Sequence, residues 1–554
     1  MTRTFALLVA GYALSACSVE AESPEPKGRF QTDQIVQIDL TMAADDWQAL
    51  TQQSRSFITE FSGDCRAEPF SKPYTYFHGQ ITMDGESLPD IGIRKKGFIG
   101  SQSTTKPSFR INLDEYVEGA ELFGKDNLTL NNSVQDPSLV RQCLAYDLFN
   151  QAGIAAPRCN FARVSMNGED LGIYVHVEPI KPSFLRDHFG ESDGDLYEGT
   201  VSDFRDDWYR TYEVKTLTTD SAYGPITELM RDIAPGQDKE EALRAHFDFD
   251  QLLTFLAMEN IIGHWDGYAG NRNNHYIYRD SITSKLHFIP WGADGVMLAE
   301  RIEEVPYYKG IIAHHILGDR DLSAQLSSRI NELLESLWNE ETLLAEIDRM
   351  TALIETEIEI DRVISAGLDN LREYINRRAQ ALQGALPGEN QQLEPAFCLE
   401  KKGEIDAQFT TTWESLGTNP DITRLGELDW SMEWENERMP FVNDGVAAGY
   451  NDQNVPMLVL VGIFEDESMF IPYLSFDPDA VREGQEMPIN VMGQRGAEAE
   501  AAGGVLYRGR ITGGQIVPAG SMSGGHVVFD RFESRRGGAV RGRMITDLYG
   551  WEDQ

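Results

Sequence analysis

The chain has 554 residues and a mass of 62.2 kDa, more than one ordinary domain accommodates, so two or three are expected. Hydrophobic residues at 41% and aromatics at 10% supply a sizeable core and exclude a disordered chain. With 48 Lys and Arg against 89 Asp and Glu the net charge is −41, a field that repels phosphate backbones and anionic headgroups, so nucleic acid is not an expected partner.

Residues 1–16 read as a signal segment, with Arg3 at its start and then about twelve mostly apolar residues, the length of a signal core rather than of a spanning helix. Leu14-Ser15-Ala16-Cys17 resembles the site at which bacterial lipoproteins are cut before a lipidated cysteine. Cys17 is therefore the expected lipidation site, with an ordinary small-residue cleavage site as the alternative. Residues 17–33, carrying Glu20, Glu22, Glu25, Pro24 and Pro26, read as an acidic tether. No later run of about 18 apolar residues occurs, so attachment to the cell envelope is expected through a lipid anchor only. That address is the periplasmic face or the cell surface. Setting Cys17 aside, Cys65, Cys143, Cys159 and Cys398 remain; they allow up to two disulfides in pairings the sequence does not rank, and a buried free thiol at Cys143 is equally compatible.

From residue 34 to 386 strands and helices alternate. Ile35, Val36, Ile38 and Leu40 predict a strand, and a helix follows around residues 45–50. Asn167-Gly168 between two apolar runs predicts a hairpin. Between residues 322 and 382, Leu322, Leu326, Ile330 and Leu333, then Leu343, Ile347 and Met350, then Leu371 and Ile375 fall at helical spacing. Pro387-Gly388 breaks the pattern. Residues 394–554 form short apolar runs between glycine-rich turns and predict a small all-β, sandwich-like domain without a catalytic constellation.

Two stretches carry candidate chemistry. Residues 91–113 contain Arg94, Lys95, Lys96, Lys106 and Arg110 and no acid before Leu113, around a turn of small residues, Gly97 to Ser103. Backbone N–H groups in such a turn can face an anion, and a lysine on the following strand, Lys106 here, is a recurrent way to hold polyphosphate. A basic surface hairpin is the plainer reading, and no Walker A pattern is present. The second stretch runs Gly263-His264-Trp265-Asp266-Gly267, Asn271, Asn273, Asn274, a predicted hairpin, and Pro290-Trp291-Gly292-Ala293-Asp294-Gly295. A hairpin brings its open ends together, so Asn274 and Asp294 can reach one metal ion with Asp266 nearby. The same order of Asp, Asn and Asp serves phosphoryl transfer in protein kinases.

These segments resemble the CotH kinase family, over residues 35–382. The resemblance rests on Arg94 to Ile111, on Leu122-Phe123-Gly124, on Asp136-Pro137-Ser138-Leu139-Val140-Arg141, on the Asn167-Gly168 hairpin ending at Glu178, on Gly194-Asp195-Leu196-Tyr197, and on the Asp266 and Pro290-Trp291 segments. It implies an α+β chain: an atypical protein-kinase-like domain over residues 34–386, followed by the all-β domain. It further implies metal-dependent transfer of the ATP γ-phosphoryl group, with Mg²⁺ or Mn²⁺, to Ser or Thr of a secreted or envelope protein. In that reading Asp266 is the catalytic base, Asn274 and Asp294 hold the metal, and Arg94, Gly97, Ser103, Lys106 and Glu178 contact the nucleotide. The family pattern Pro-Trp-Asp-x-Asp has Gly292 at its first Asp, which is expected to weaken metal binding. A catalytically degenerate kinase fold serving in surface assembly or adhesion is the alternative. A glycan-acting protein is a third reading, for which no carboxylate pair can be assigned.

Overall fold

Strands that share an apolar inner face close the first third of the chain into a barrel. A computed structural model of the protein describes residues 30–218, 221–304, 306–383, 393, 398–416, 425–451, 455–491, 501–511 and 516–551. The signal segment, Cys17, most of the tether and the Pro387-Gly388 break lie outside the described residues. Strands β1 (Val36–Met42), β2 (Phe77–Met83), β3 (Glu86–Lys96), β4 (Ser108–Asn112), β5 (Asn127–Asn131), β6 (Cys159–Met166) and β7 (Glu169–Val177) form a closed barrel in the order β1-β2-β3-β4-β5-β7-β6. Neighbours are antiparallel except β1 and β6, which pair in parallel. Ile38, Leu40, Ile91, Ile93, Phe109, Ile111 and Val164 fill its interior. The predicted hairpin turn joins β6 to β7, with Asn167 and Gly168 both at positive φ (53° and 85°), the conformation an Asn-Gly pair adopts most readily.

Helices and a smaller sheet follow. Strands β8 (Asp195–Gly199), β9 (Glu213–Thr216), β10 (His275–Arg279) and β11 (Leu286–Pro290) lie in the order β11-β10-β8-β9. The helix Phe249–Ile261 packs against this sheet and is buried on every side. Three amphipathic helices, Arg320–Ser336, Glu340–Ile354 and Arg362–Ala381, cover the far side; Asp319, Asn339 and Asp361 cap their N-termini. Their buried positions are the leucines and isoleucines that the sequence sets at helical spacing.

The C-terminal part is all β. Where the sequence points to a sandwich, the described residues form one ten-stranded sheet running from Glu437–Arg438 at one edge to Asn443–Tyr450 at the other. The sheet curls, and bridges from Trp413 to Ala448 and from Gly426 to Val446 bring its two ends together around a core of Phe409, Leu458, Leu474, Met522 and Met544. All four cysteines downstream of Cys17 are bonded. Cys143 pairs with Cys159, tying the helix Arg141–Gln151 to the start of β6, so Cys143 is not a free thiol. Cys65 pairs with Cys398 across 333 residues, joining the β1–β2 connection to the first strand of the C-terminal sheet.

Candidate functional site

Period-two geometry puts alternate residues of β3, β4 and β5 on the outer face of the barrel, and that face is polar. Arg94 and Lys96 of β3, Ser108, Arg110 and Asn112 of β4, and Asn127, Thr129 and Asn131 of β5 all line one cavity of about 820 Å³. Cross-strand register sets Arg94 opposite Arg110 and Lys96 opposite Ser108. Lys95, between the two cations, points the other way and donates to Thr51 O at the end of the helix Ala44–Gln52 (2.7 Å). The opposite wall comes from the helical part and carries Lys181, Glu198, Asp266, Asn274 and Asp294.

Asp266 follows the buried helix Phe249–Ile261 in a loop that the chain ties down at several points. Glu259, fully buried in that helix, accepts from the backbone N–H groups of Tyr268 and Ala269 (both 2.8 Å). Burial pushes its carboxyl up to about 8. A side chain at Gly267 would collide with Glu259 at 2.2 Å, so only glycine lets the loop sit this close. Trp265 donates to Gly295 O (2.8 Å), and His264 Nε2 lies 3.2 Å from Trp291 O, which straps the Asp266 loop to the Asp294 segment.

Three amides converge on Asp266. Asn271 donates to one carboxylate oxygen (2.8 Å), while Asn273 (3.1 Å) and Asn274 (2.8 Å) donate to the other. Asp266 lies deep in the molecule yet opens onto the cavity, and burial raises its carboxyl to about 6 against the pull of these amides. Burial likewise raises Asp294, opposed by the positive charge of Lys96. Asn274 leaves β10 as expected, and with its N–H₂ spent on Asp266 its Oδ1 lies over Gly292. A Cβ at residue 292 would stand 2.2 Å from that oxygen, and Gly292 itself is at φ 49°. The missing side chain is thus what leaves room for the amide.

The cations have few partners. Among the described residues Arg94, Arg110 and Lys181 form no ion pair with a carboxylate. Arg94 instead stacks over Tyr76 (5.3 Å). Lys96 donates to Asn131 Oδ1 and lies over Trp291 (5.9 Å). Burial lowers the Lys96 and Lys181 ammonium groups, and Arg110 lowers both further by charge repulsion. Asp294 and Glu198 offset part of this repulsion at Lys96, but Arg94, Arg110 and Lys181 form no such ion pair among the described residues, so in a chain of net charge −41 this side of the cavity suits an anion.

Several residues singled out from sequence lie elsewhere. Lys106 precedes β4 rather than sitting on it; its ammonium donates to Ile173 O (2.8 Å) and lies over Tyr174 (5.0 Å), away from the cavity. Ser103 caps the turn, accepting from Lys106 N (2.9 Å). Glu178 is buried against Arg158 and Lys125 and holds the end of β7. Gly97 does line the cavity, at φ 127°, where a Cβ would meet Ser101 Oγ at 2.8 Å. Lys96, Arg110 and Lys181 were missed; the i, i+2 spacing of Arg94 and Lys96 on a strand was the signal for the first. Asp136 and Arg141 make a buried pair (2.7 Å), and Arg141 reaches on to Gly367 O and Asn370, so this landmark is structural.

The sequence profile of the CotH kinase protein family matches residues 85–382, more than half of the chain. The chain belongs to the CotH kinase family. Inner spore coat protein H of Bacillus subtilis is 25% identical over 291 residues, 48% of this chain and 79% of that protein. Spore coat protein homolog 1 of Rhizopus delemar is 23% identical over 271 residues, 45% of this chain and 44% of its own length, so this chain spans less than half of that relative. The crystal structure of the Helicobacter pylori proinflammatory kinase CtkA aligns with 52% of this chain and 93% of its own at 12% identity, with a TM-score of 0.29. Every polar residue of the cavity that this CotH kinase relative draws from β3, β4, β5 and the Asp266 and Asp294 segments falls inside the family match. The C-terminal sheet lies outside it.

The donor set fits a hard divalent cation. Among the described residues no three His, Cys, Asp or Glu side chains cluster as metal ligands. Asp266, Asp294 and the Asn274 amide oxygen nonetheless line the same cavity, oxygen donors of the kind Mg²⁺ takes together with water and phosphate.

Proposed function

We propose that this protein transfers the γ-phosphoryl group of ATP to Ser or Thr hydroxyls of secreted or envelope proteins, with Mg²⁺ or Mn²⁺. The observation that carries this reading is the meeting, in one cavity of an acidic protein, of Arg94, Lys96, Arg110 and Lys181 with Asp266, Asn274 and Asp294. Arg94, Lys96, Arg110 and Lys181 bind and orient the triphosphate by charge. Asp294 and Asn274 Oδ1 would hold the divalent cation, which when bound neutralises charge on the phosphate oxygens.

Asp266 orients the acceptor hydroxyl and takes its proton. The hydroxyl oxygen forms a bond to the γ-phosphorus while the bond from that phosphorus to the β,γ-bridging oxygen breaks, and ADP leaves with the electron pair. Asn271, Asn273 and Asn274 hold the Asp266 carboxylate in one orientation throughout. Relatives named for spore coats and as invasins, together with the signal-like residues 1–17, support a place at the cell surface or in the envelope through a lipid on Cys17.

The test is transfer of labelled phosphate from ATP to the protein itself and to envelope proteins, wild type beside Asp266→Ala. Label on wild type only, with ATP and Mg²⁺ raising the melting temperature of both, supports the reading; a melting temperature indifferent to ATP and Mg²⁺ sinks it. The second reading, a degenerate kinase fold used in assembly or adhesion, is favoured by Gly292 and predicts that indifference.

A further inference from the structure

One wall of the cavity is aromatic, in contrast to its charged faces. Phe57, Phe61 and Phe70 of the β1–β2 connection and Phe98 of the glycine turn line it. They pack on one another, with ring centroids 4.7 Å apart for Phe57 and Phe61, 5.1 Å for Phe61 and Phe70, and 5.3 Å for Phe70 and Phe98. The C-terminal domain backs this wall directly. Leu399 is buried in the same cluster, Tyr549 packs against it, Ser62 bridges to Leu399, and the Cys65–Cys398 disulfide locks the contact. The aromatic connection and the C-terminal sheet lie outside residues 85–382, whereas Phe98 lies inside them.

The wall also connects to the chemistry. Val201 belongs to the aromatic cluster and lines the cavity, and its backbone N–H donates to Asn273 Oδ1 (3.3 Å). Asn273 in turn donates to Asp266 (3.1 Å). On the glycine-turn side, Gln102 exchanges hydrogen bonds with the backbone of Arg55 (2.6 and 2.9 Å), so the turn and the aromatic connection form one body. The aromatic cluster is thus linked to Asp266 through Val201 and Asn273, while Arg110 and Lys181 lie along β4 and before β8.

We propose that the C-terminal β-domain completes the acceptor side of the cavity. By holding the Phe57–Phe61–Phe70–Phe98 wall next to Asp266 through the Cys65–Cys398 bond, it selects polypeptide segments whose hydroxyl residue has an apolar or aromatic neighbour. This rests on the phosphotransfer reading above. An aromatic trough excludes water and rewards an apolar side chain, and it offers nothing to an acidic one.

The experiment uses the full-length protein, ATP with Mg²⁺, and synthetic peptides carrying one serine with the flanking positions varied. Wild type is expected to phosphorylate peptides with Phe or Leu beside the serine about tenfold faster than those with Gly or Asp there. Cys398→Ser and Phe70→Ala are expected to reduce that ratio to about twofold or less, with the melting shift produced by ATP and Mg²⁺ retained. Should Cys398→Ser fail to fold, Phe70→Ala with the disulfide intact carries the test. Equal transfer to all peptides by wild type overturns this proposal alone. So does loss of the ATP-dependent melting shift in Phe70→Ala, which assigns the wall to the nucleobase. Wild type that transfers phosphate to nothing overturns the phosphotransfer reading along with it.

Discussion

Two lysines ten residues apart, Lys96 and Lys106, belong to the same basic stretch and meet opposite fates. Lys96 ends β3 on the face that looks into the cavity, beside Arg94, across from β4 and near Asp294. Lys106 sits past the turn, where it satisfies a backbone carbonyl of β7. Composition marks both as candidates, since both are basic and both flank the glycine turn. Backbone placement separates them: Lys96 sits on β3 with its side chain in the cavity, whereas Lys106 precedes β4 and turns to β7, and a side chain held by another element cannot reach a ligand however suitable its chemistry.

The comparison can be broken by substitution. The largest expected effect is at the proposed base: Asp266→Ala should lower phosphate transfer by about 10²- to 10⁴-fold while ATP and Mg²⁺ still raise the melting temperature. Next comes the pair itself. Lys96→Ala should weaken ATP binding about ten- to a hundredfold, the worth of a charge-assisted contact. Lys106→Ala should leave ATP affinity unchanged and cost about 1 kcal/mol of stability, read by denaturant unfolding. Equal losses of affinity at the two positions would refute the assignment of the cavity face.

Gly292→Asp sharpens the comparison at the metal side. The family pattern leads one to expect tighter metal binding from the restored carboxylate. The geometry predicts the reverse, because Asn274 Oδ1 occupies the space and the backbone is left-handed there. The variant should lose about 1–3 kcal/mol of stability without gaining Mg²⁺ affinity, as measured by unfolding and calorimetry.

A further prediction concerns pH. Glu259 has an ordinary value of 4.5 and is raised to about 8 by burial, so the folded protein holds a proton there that the unfolded chain has already released. Its contribution to stability is complete below pH 4.5 and is lost as pH rises toward 8. Glu259→Gln should flatten that part of the stability–pH curve, and an unchanged slope would show that Glu259 does not hold the proton.

Much of the fold is legible in the residues because the relevant signals are local. Period-two alternation, the Asn-Gly turn and the leucine spacing of the last three helices each depend on a few neighbouring side chains. The Asp266, Asn274 and Asp294 constellation is legible for a related reason: a hairpin is short, so its open ends meet wherever its strands pair. The two disulfides, the curled single sheet in place of a sandwich, and the aromatic wall are of another kind. Each joins segments far apart in the chain, as Cys65 and Cys398 are, and no local pattern records which distant partner will arrive.

The sequence by itself therefore determined the alternation of elements, the family and the loop ends, at Asp266, Asn274 and Asp294, that line one cavity. Tertiary structure alone decided that Lys96, Arg110 and Lys181 share the cavity while Lys106, Ser103 and Glu178 do not. The physical reason is that a shared cavity depends on which distant segments pack together: Lys106 is held by β7 and Glu178 by Arg158, while one face of β3 and β4 meets the Asp266 and Asp294 segments.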